Sequence, residues 1–238
     1  MTKPVAIVTG ASRGVGKAVA LLLAEKGWNL TLTCSSSLEE AKKVAKECND
    51  LGSETIVLTA DVSDESKCKE TVQKTIEEWK RLDVLINNAG KTVFNAHENL
   101  AGLKSEDFLE IYKTNTVGPY MMIKEAEEFL RKSPIASVVN IASIAGVIGV
   151  GSSIAYVASK GALVMMTKSL AKALGPIRIN AICPGFIEGE WLKKGLGDEA
   201  YEATKNYIES STPLNMVCNP EKVAKGCLLY TSPSPRDQ

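Results

Sequence analysis

Histidine is almost missing from this chain: His97 is the only one in 238 residues. The six cysteines (Cys34, Cys48, Cys68, Cys183, Cys218 and Cys227) fall in no CxxC or other ligand spacing. A Cys/His metal site therefore lacks donors, and the thiols read as reduced cysteines of a cytosolic protein. Net charge is absent as well. Lys+Arg and Asp+Glu both number 28, so no bulk electrostatic pull recruits a nucleic acid or a membrane surface. No apolar run approaches the roughly 20 residues of a transmembrane helix. The opening "MTKPVAIVTG" enters a strand pattern at once, without a cleavable signal region. What is left is an ordinary globular composition, 45% hydrophobic and 24% charged, in a chain long enough to bury a core.

That chain alternates. "VAIVT" (5–9), "LTLTC" (30–34), "TIVLTA" (55–60), "LDVLINNAG" (82–90), "SVVNIAS" (137–143) and "IRINAIC" (177–183) are strand-like runs. Between them, helical spacing covers Val15–Lys26, a stretch opened by Ser37 and Glu40 as a capping box, and one starting near Ser63. A long helix is expected over 105–132 and another over 152–174. Strands alternating with helices of this length predict parallel βαβ units with right-handed crossovers. The expectation is an α/β fold: a single doubly wound parallel sheet, helices on both faces, over residues 1–226.

"TGASRGVG" (9–16) lies where a phosphate-binding loop should, after the first strand and before the first helix. Gly10, Gly14 and Gly16 permit positive φ and close backbone approach. Ala11, Ser12, Arg13 and Val15 complete a loop whose helix offers unpaired N–H groups to a pyrophosphate. An NAD site usually ends its second strand with a carboxylate for the ribose 2′-OH. Here Cys34, Ser35, Ser36 and Ser37 stand there instead. With no carboxylate to repel a 2′-phosphate, and Arg13 and Ser35 able to bind it, NADP(H) is favoured over NAD(H). The alternative for Arg13 is a solvated surface arginine.

Three tyrosines have a lysine four positions on: Tyr120 with Lys124, Tyr156 with Lys160, and Tyr201 with Lys205. A phenol with pKa about 10 exchanges protons poorly at neutral pH, and moving it by about three units takes about 4 kcal/mol. A lysine one turn along the helix supplies part of that. The first pair lies inside the long helix, and the last in an acidic stretch that reads as a solvated helix face. Only Tyr156 and Lys160 follow a strand, and its end carries a hydroxyl, Ser143, that could hold a carbonyl oxygen. Ligands of open α/β sheets sit at such a strand-to-helix junction.

In combination these motifs resemble the short-chain dehydrogenases/reductases. The resemblance spans residues 4 to about 225: TGxxxGxG (9–16), "DV" (61–62), NNAG (87–90), Asn115 in a "TN", Ser143, "YVASK" (156–160) and "PGFI" (184–187). The interval from Ser143 to Tyr156, 156 − 143 = 13, is the family's usual one. The resemblance implies a Rossmann-type sheet with Tyr156 as general acid/base and Ser143 positioning the substrate carbonyl. Lys160 would bind the nicotinamide ribose and lower the tyrosine pKa, and Asn115 would hold a proton-relaying water. Asp61 and Val62 would flank the adenine, Asn88, Ala89 and Gly90 the adenosine side, and Pro184, Gly185 and the Ile187 backbone the nicotinamide. Taken singly, Ser143 could be a helix cap, Asn115 a buried amide and Asp61 a turn former.

Within the family, "TGASRGVG", the serines at 35–37 and "CPGFIEGEW" look most like the 3-oxoacyl-[acyl-carrier-protein] reductases. Two departures stand out. Gly189 replaces the usual threonine, and "CLLYTSPSPRDQ" (227–238) stands where the family's last strand should begin. Pro233 and Pro235 do not suit a strand interior, so this segment is read as a disordered tail or as non-native sequence, with the last strand missing. The leading expectation is an NADPH-dependent carbonyl reductase of 3-oxoacyl thioesters, small ketones, sugars or steroid-like alcohols. Behind it stands a non-catalytic dinucleotide-binding protein, whose usual mark, loss of the tyrosine or lysine, is not seen. Trp191, Leu192, Leu196 and Tyr201 suggest an apolar-walled pocket, and Lys193, Lys194 and Lys205 either attract an acidic carrier or are solvated charges. The resemblance further implies a cytoplasmic homo-tetramer built on the long helices.

Overall fold

Six runs of β-branched and aliphatic residues form the strands of the computed structural model, which describes residues 3–231. They are β1 Val5–Val8, β2 Asn29–Cys34, β3 Thr55–Thr59, β4 Val84–Asn87, β5 Ser137–Ile141 and β6 Arg178–Ile182. All pair in parallel, in the order β3-β2-β1-β4-β5-β6. The order reverses at β1, between β2 and β4, and there the carboxyl ends of the strands open a crevice.

Period-two alternation divides the core. Ile7, Leu85, Val138 and Ile179 point to one face, where Val72, Met122, Ile123 and Leu130 cover them. Ala6, Val8, Ile86 and Val139 point to the other, against Val19, Leu23, Val44 and Cys227. The covering helices are α1 Gly14–Glu25, α2 Leu38–Asp50, α3 Glu65–Trp79, α4 Ser105–Tyr112, α5 Gly118–Leu130, α6 Ala145–Ile148 and α7 Ile154–Ala173. After β6 come α8 Glu190–Leu196, α9 Asp198–Ser211 and α10 Pro220–Thr231. Among the described residues no helix is long and apolar enough to cross a membrane, and no group of His, Cys, Asp and Glu could hold a metal. The six cysteines are free.

The long helix expected over 105–132 is broken. A π turn, Lys113–Val117, separates α4 from α5. Pro119 has no N–H for the helical ladder, and the buried Asn115 inside the turn clasps the backbone of Lys91, accepting from its N–H at 2.8 Å and donating to its carbonyl at 2.9 Å. The capping box expected at Ser37 does not form, because the Ser37 side chain caps nothing. The third helix starts at Glu65, where Asp64 accepts from the Ser66 N–H at 2.8 Å.

No seventh strand follows β6 among the described residues. The boundary drawn after Gly226, however, falls inside α10. Residues 227–231 continue the helix, with Cys227 and Thr231 buried. The Tyr230 carbonyl takes bonds from Ser137 Oγ at 2.7 Å and Arg178 Nη1 at 2.9 Å, fastening the helix end to β5 and β6. The remainder of the segment read as a tail, 232–238, lies outside the described residues.

Candidate active site

The glycine loop is shaped by what it presses against. Gly10 has φ +65°, and a Cβ there would come within 2.9 Å of Ala89 Cα. A Cβ on Gly16 would overlap the Gly10 carbonyl, so α1 reaches the turn only because position 16 is bare. Thr9 ties the loop to the end of β4, its Oγ1 accepting from the N–H groups of Asn88 (3.0 Å) and Ala89 (3.1 Å). The Asn88 amide donates to the carbonyls of Thr9 (2.9 Å) and Gly10 (3.0 Å). Ala11 is buried and bonds the Thr33 carbonyl at 2.9 Å. Ser12 and Val15 are half-buried, Arg13 and Gly14 exposed, and Gly14 turns at φ +55°. No side chain caps α1 and no acidic residue stands in its first turn. Such an uncapped N-terminus behind a bare loop suits an anion.

Beside the loop, Ser35 and Ser36 are exposed at the end of β2, with Cys34 buried and its thiol pushed up by burial. Asp61 Oδ1 accepts from the Ser63 N–H at 2.9 Å, a turn-forming bond, and Val62 is buried against Gly118. A Cβ on Gly90 would lie 3.5 Å from Asn115 Oδ1 and 3.7 Å from Lys160 Nζ. The NNAG turn, the π turn and α7 thus meet at one point.

That point is the reactive-looking corner. Ser153, fully buried, caps α7 by accepting from the Tyr156 N–H at 3.2 Å. Ser143 follows β5, and its Oγ accepts from the Ala145 N–H at 3.1 Å. The lowering of the Tyr156 pKa expected from Lys160 is not found: burial pushes the phenol up, and only a hydrogen bond with Ser143 draws it part of the way back. Lys160 is buried, its Nζ donating to the Ile141 carbonyl at 2.8 Å and lying 5.7 Å from the Tyr156 ring centroid. Loss of water brings its pKa down to about 8, against a smaller upward pull from Cys183. Ser159 joins Asn115 to this helix, accepting from Asn115 Nδ2 at 3.0 Å and donating to the Tyr156 carbonyl at 2.8 Å. The nearby Pro184 is buried and its carbonyl takes the Ile144 N–H at 2.9 Å. Gly185 is exposed, and Ile187 pairs with Cys218 in an isolated parallel bridge.

The structure therefore brings Asn115, Ser143, Tyr156 and Lys160 together with the glycine loop and the Gly90 turn. The other two tyrosine–lysine pairs go elsewhere. Lys124 pairs with Glu65 at 2.6 Å and Lys205 reaches Glu188 at 3.4 Å. Tyr201 is not on a solvated face as expected: it is 7% exposed, its ring is 5.3 Å from that of Phe186, and its hydroxyl accepts from the Gly189 N–H at 3.2 Å. Sequence reading missed Ser153, Phe94 and the link that Ser159 makes to Asn115. The Phe94 ring lies 5.7 Å from Trp191, whose own ring is 6.4 Å from Tyr156. A serine one residue before a helix start was a legible cap signal; Phe94 carried none.

The family model for short chain dehydrogenase matches residues 4–199. A protein of Streptomyces violaceoruber provisionally named granaticin polyketide synthase ketoacyl reductase 2 is 37% identical over 226 residues, 94% of this chain and 88% of that one. The 3-oxoacyl-[acyl-carrier-protein] reductase FabG of Thermotoga maritima is 34% identical over 230 residues, 96% and 90% of the two chains. The chain superposes on a provisionally named short-chain dehydrogenase/reductase from Burkholderia xenovorans with TM-score 0.89 at 34% identity, covering 99% and 93%. On a xylitol dehydrogenase solved with NAD+ the TM-score is 0.88 at 26% identity, covering 97% and 92%.

The chain belongs to the short-chain dehydrogenase/reductase family. It is an NAD(P)-dependent oxidoreductase, most like the 3-oxoacyl-[acyl-carrier-protein] reductases within it. The bare cradle at Gly10 and Gly16 and the uncapped start of α1 fit the nicotinamide dinucleotide such enzymes bind.

Proposed function

We propose that the protein reduces the ketone of a 3-oxoacyl thioester at the expense of NADPH, with Tyr156 as the proton donor. The observation that carries this reading is the meeting of Ser143, Tyr156 and Lys160 beside the Gly90 turn, next to the glycine loop. The loop from Gly10 to Gly16, with Asp61, Val62, Asn88 to Gly90, Pro184, Gly185 and Ile187, would hold the dinucleotide. Bound reduced nicotinamide supplies the hydride.

The chain's own residues do the rest. The Ser143 hydroxyl holds the carbonyl oxygen at the end of β5, and the Tyr156 phenol donates a proton to it as negative charge develops. A raised phenol pKa suits a donor, since the group stays protonated at neutral pH. Lys160 stabilises the phenolate left behind, and Asn115, fixed by Lys91 and Ser159, orients the route by which the proton is replaced. Arg13 and Ser35, exposed and with no carboxylate beside them at 34–37, favour a 2′-phosphate. The relatives named as ketoacyl and 3-oxoacyl-carrier reductases support the substrate class, and the free thiols accord with a cytoplasmic site of action. Exposed apolar residues on α4 and α7, such as Leu109 (69%) and Met165 (62%), support assembly of several copies through the long helices.

Tyr156→Phe tests the assignment. The expected outcome is a fall in turnover of about 10² to 10⁴ with NADPH affinity, read by fluorescence titration, unchanged. Turnover retained within about tenfold removes Tyr156 from the chemistry.

A further inference from the structure

Tyr156 is walled on two sides. A Cβ on Gly151 would lie 3.5 Å from Tyr156 Cδ1, so the 149–153 loop passes close beside the ring. Trp191 on α8, itself half exposed, also stands beside it, its ring centroid 6.4 Å from Tyr156 and 5.7 Å from Phe94, at interplanar angles of 51° and 60°. At those separations tilted rings touch. The 149–153 loop is also fastened to the segment that carries Phe94. The Asn95 N–H bonds the Ser152 carbonyl at 2.9 Å, and His97 Nε2 lies 3.1 Å from the Gly151 carbonyl.

One glycine lets α8 settle there. Gly195 is four residues after Trp191, on the same face of the helix, and a Cβ on it would overlap the Phe94 ring. None of the α8 residues is buried, and the helix is bounded by Gly189 at φ +151° and Gly197 at φ +80°. Besides its junction with α9, where Lys193 faces Asp198 at 3.7 Å, the helix rests Trp191 against Phe94 and Tyr156 and Gly195 against Phe94. Ring faces offer dispersion contact and no hydrogen bonds in the plane above them, so a hydrocarbon substituent is welcome there.

We propose that Trp191, braced by Phe94, sets the size of the group attached to the substrate carbonyl and confines the site to 3-oxoacyl thioesters with a short chain beyond the ketone. This rests on the ketoreductase reading above and adds a size limit to it.

The test compares kcat/KM for acetoacetyl and 3-oxodecanoyl thioesters of N-acetylcysteamine, with NADPH, in the wild type, Trp191→Ala, Gly195→Ala and Phe94→Ala/Gly195→Ala. The wild type is expected to favour acetoacetyl. Trp191→Ala should shift the ratio toward the longer chain by at least about tenfold, through KM of the longer substrate. Gly195→Ala, whose added Cβ overlaps the Phe94 ring and so displaces α8 from it, should shift it the same way, and the double variant, which has also lost the brace, should keep that shift. A wild type that reduces both substrates, with a ratio that stays put in Trp191→Ala, overturns the size limit and leaves the reductase reading standing. A wild type that reduces no ketone overturns the reductase reading itself, and the size limit with it.

Discussion

Burial moves the pKa values of the two groups at the centre of the site in opposite directions. It penalises phenolate at Tyr156 and ammonium at Lys160 alike, so each is pushed toward its neutral form. For the lysine this has a consequence in stability. Its folded pKa, about 8, lies below the ordinary 10.5, so between those values the unfolded chain binds more protons at this site than the folded one. Stability therefore rises with pH across that window, and the penalty is fully present below about 8. Lys160→Met has no such titration. In the nucleotide-free protein the variant's stability relative to wild type should be greatest near neutral pH. It should decline by on the order of 3 kcal/mol as pH approaches the ordinary lysine value, read by denaturant unfolding across a pH series. A difference that does not change with pH would contradict this account of Lys160. At this scale the sequence separated Tyr156 from Tyr120 and Tyr201 by its place after a strand. The role of Ser159 was not legible because it depends on Asn115, 44 residues away in sequence and 3.0 Å away in space.

Elements meet at glycines here. A Cβ on Gly146 would overlap the backbone of Lys160 and Gly161, so α6 crosses α7 in direct backbone contact at the turn that carries the lysine. Gly146→Ala should cost about 1–3 kcal/mol, as overpacking of a tight contact does. It should also lower turnover more than nucleotide affinity, because the displaced segment bears Lys160; calorimetry and steady-state kinetics check both. An alanine variant as stable and active as wild type would mean that this crossing yields freely. Strands and most helices were legible because runs such as "VVNI" carry their own β preference and the helices their apolar spacing. The break at Lys113–Val117 was not, although "KTNT" (113–116) carries no apolar residue. Its cause lies partly in Pro119, which was readable, and partly in the clasp between Asn115 and Lys91, which is tertiary. Of the two helices in 188–212, α9 was legible only as a solvated helix face around Tyr201 and Lys205, and α8 was not assigned, because a seven-residue helix flanked by glycine presents no long periodic stretch.

The whole molecule shows apolar side chains to solvent on α4 and α7: Phe108, Leu109, Tyr112 and Met165. The proposed assembly through these helices places Leu109 at a junction between copies. Leu109→Glu should then convert the oligomer, measured by light scattering, to smaller species, while the isolated fold keeps its circular dichroism. A wild type that is monomeric at assay concentrations would contradict that assembly. The doubly wound order was legible from the alternation of elements, and the family from motifs spread along nearly the whole chain. The path of the chain after Gly226 was not. Proline and serine beyond Tyr230 coloured the reading of residues 227–231, whereas Cys227 and Thr231 turn into the core on the helix α10.

The most direct test of the central claim is the rate at which the wild-type protein consumes NADPH, and separately NADH, with an acetoacetyl thioester. The account expects turnover with a clear preference for NADPH, reflecting Arg13 and Ser35. Binding of neither nucleotide would contradict the reading of the glycine loop, and binding without turnover of this or any other ketone would contradict the role given to Tyr156.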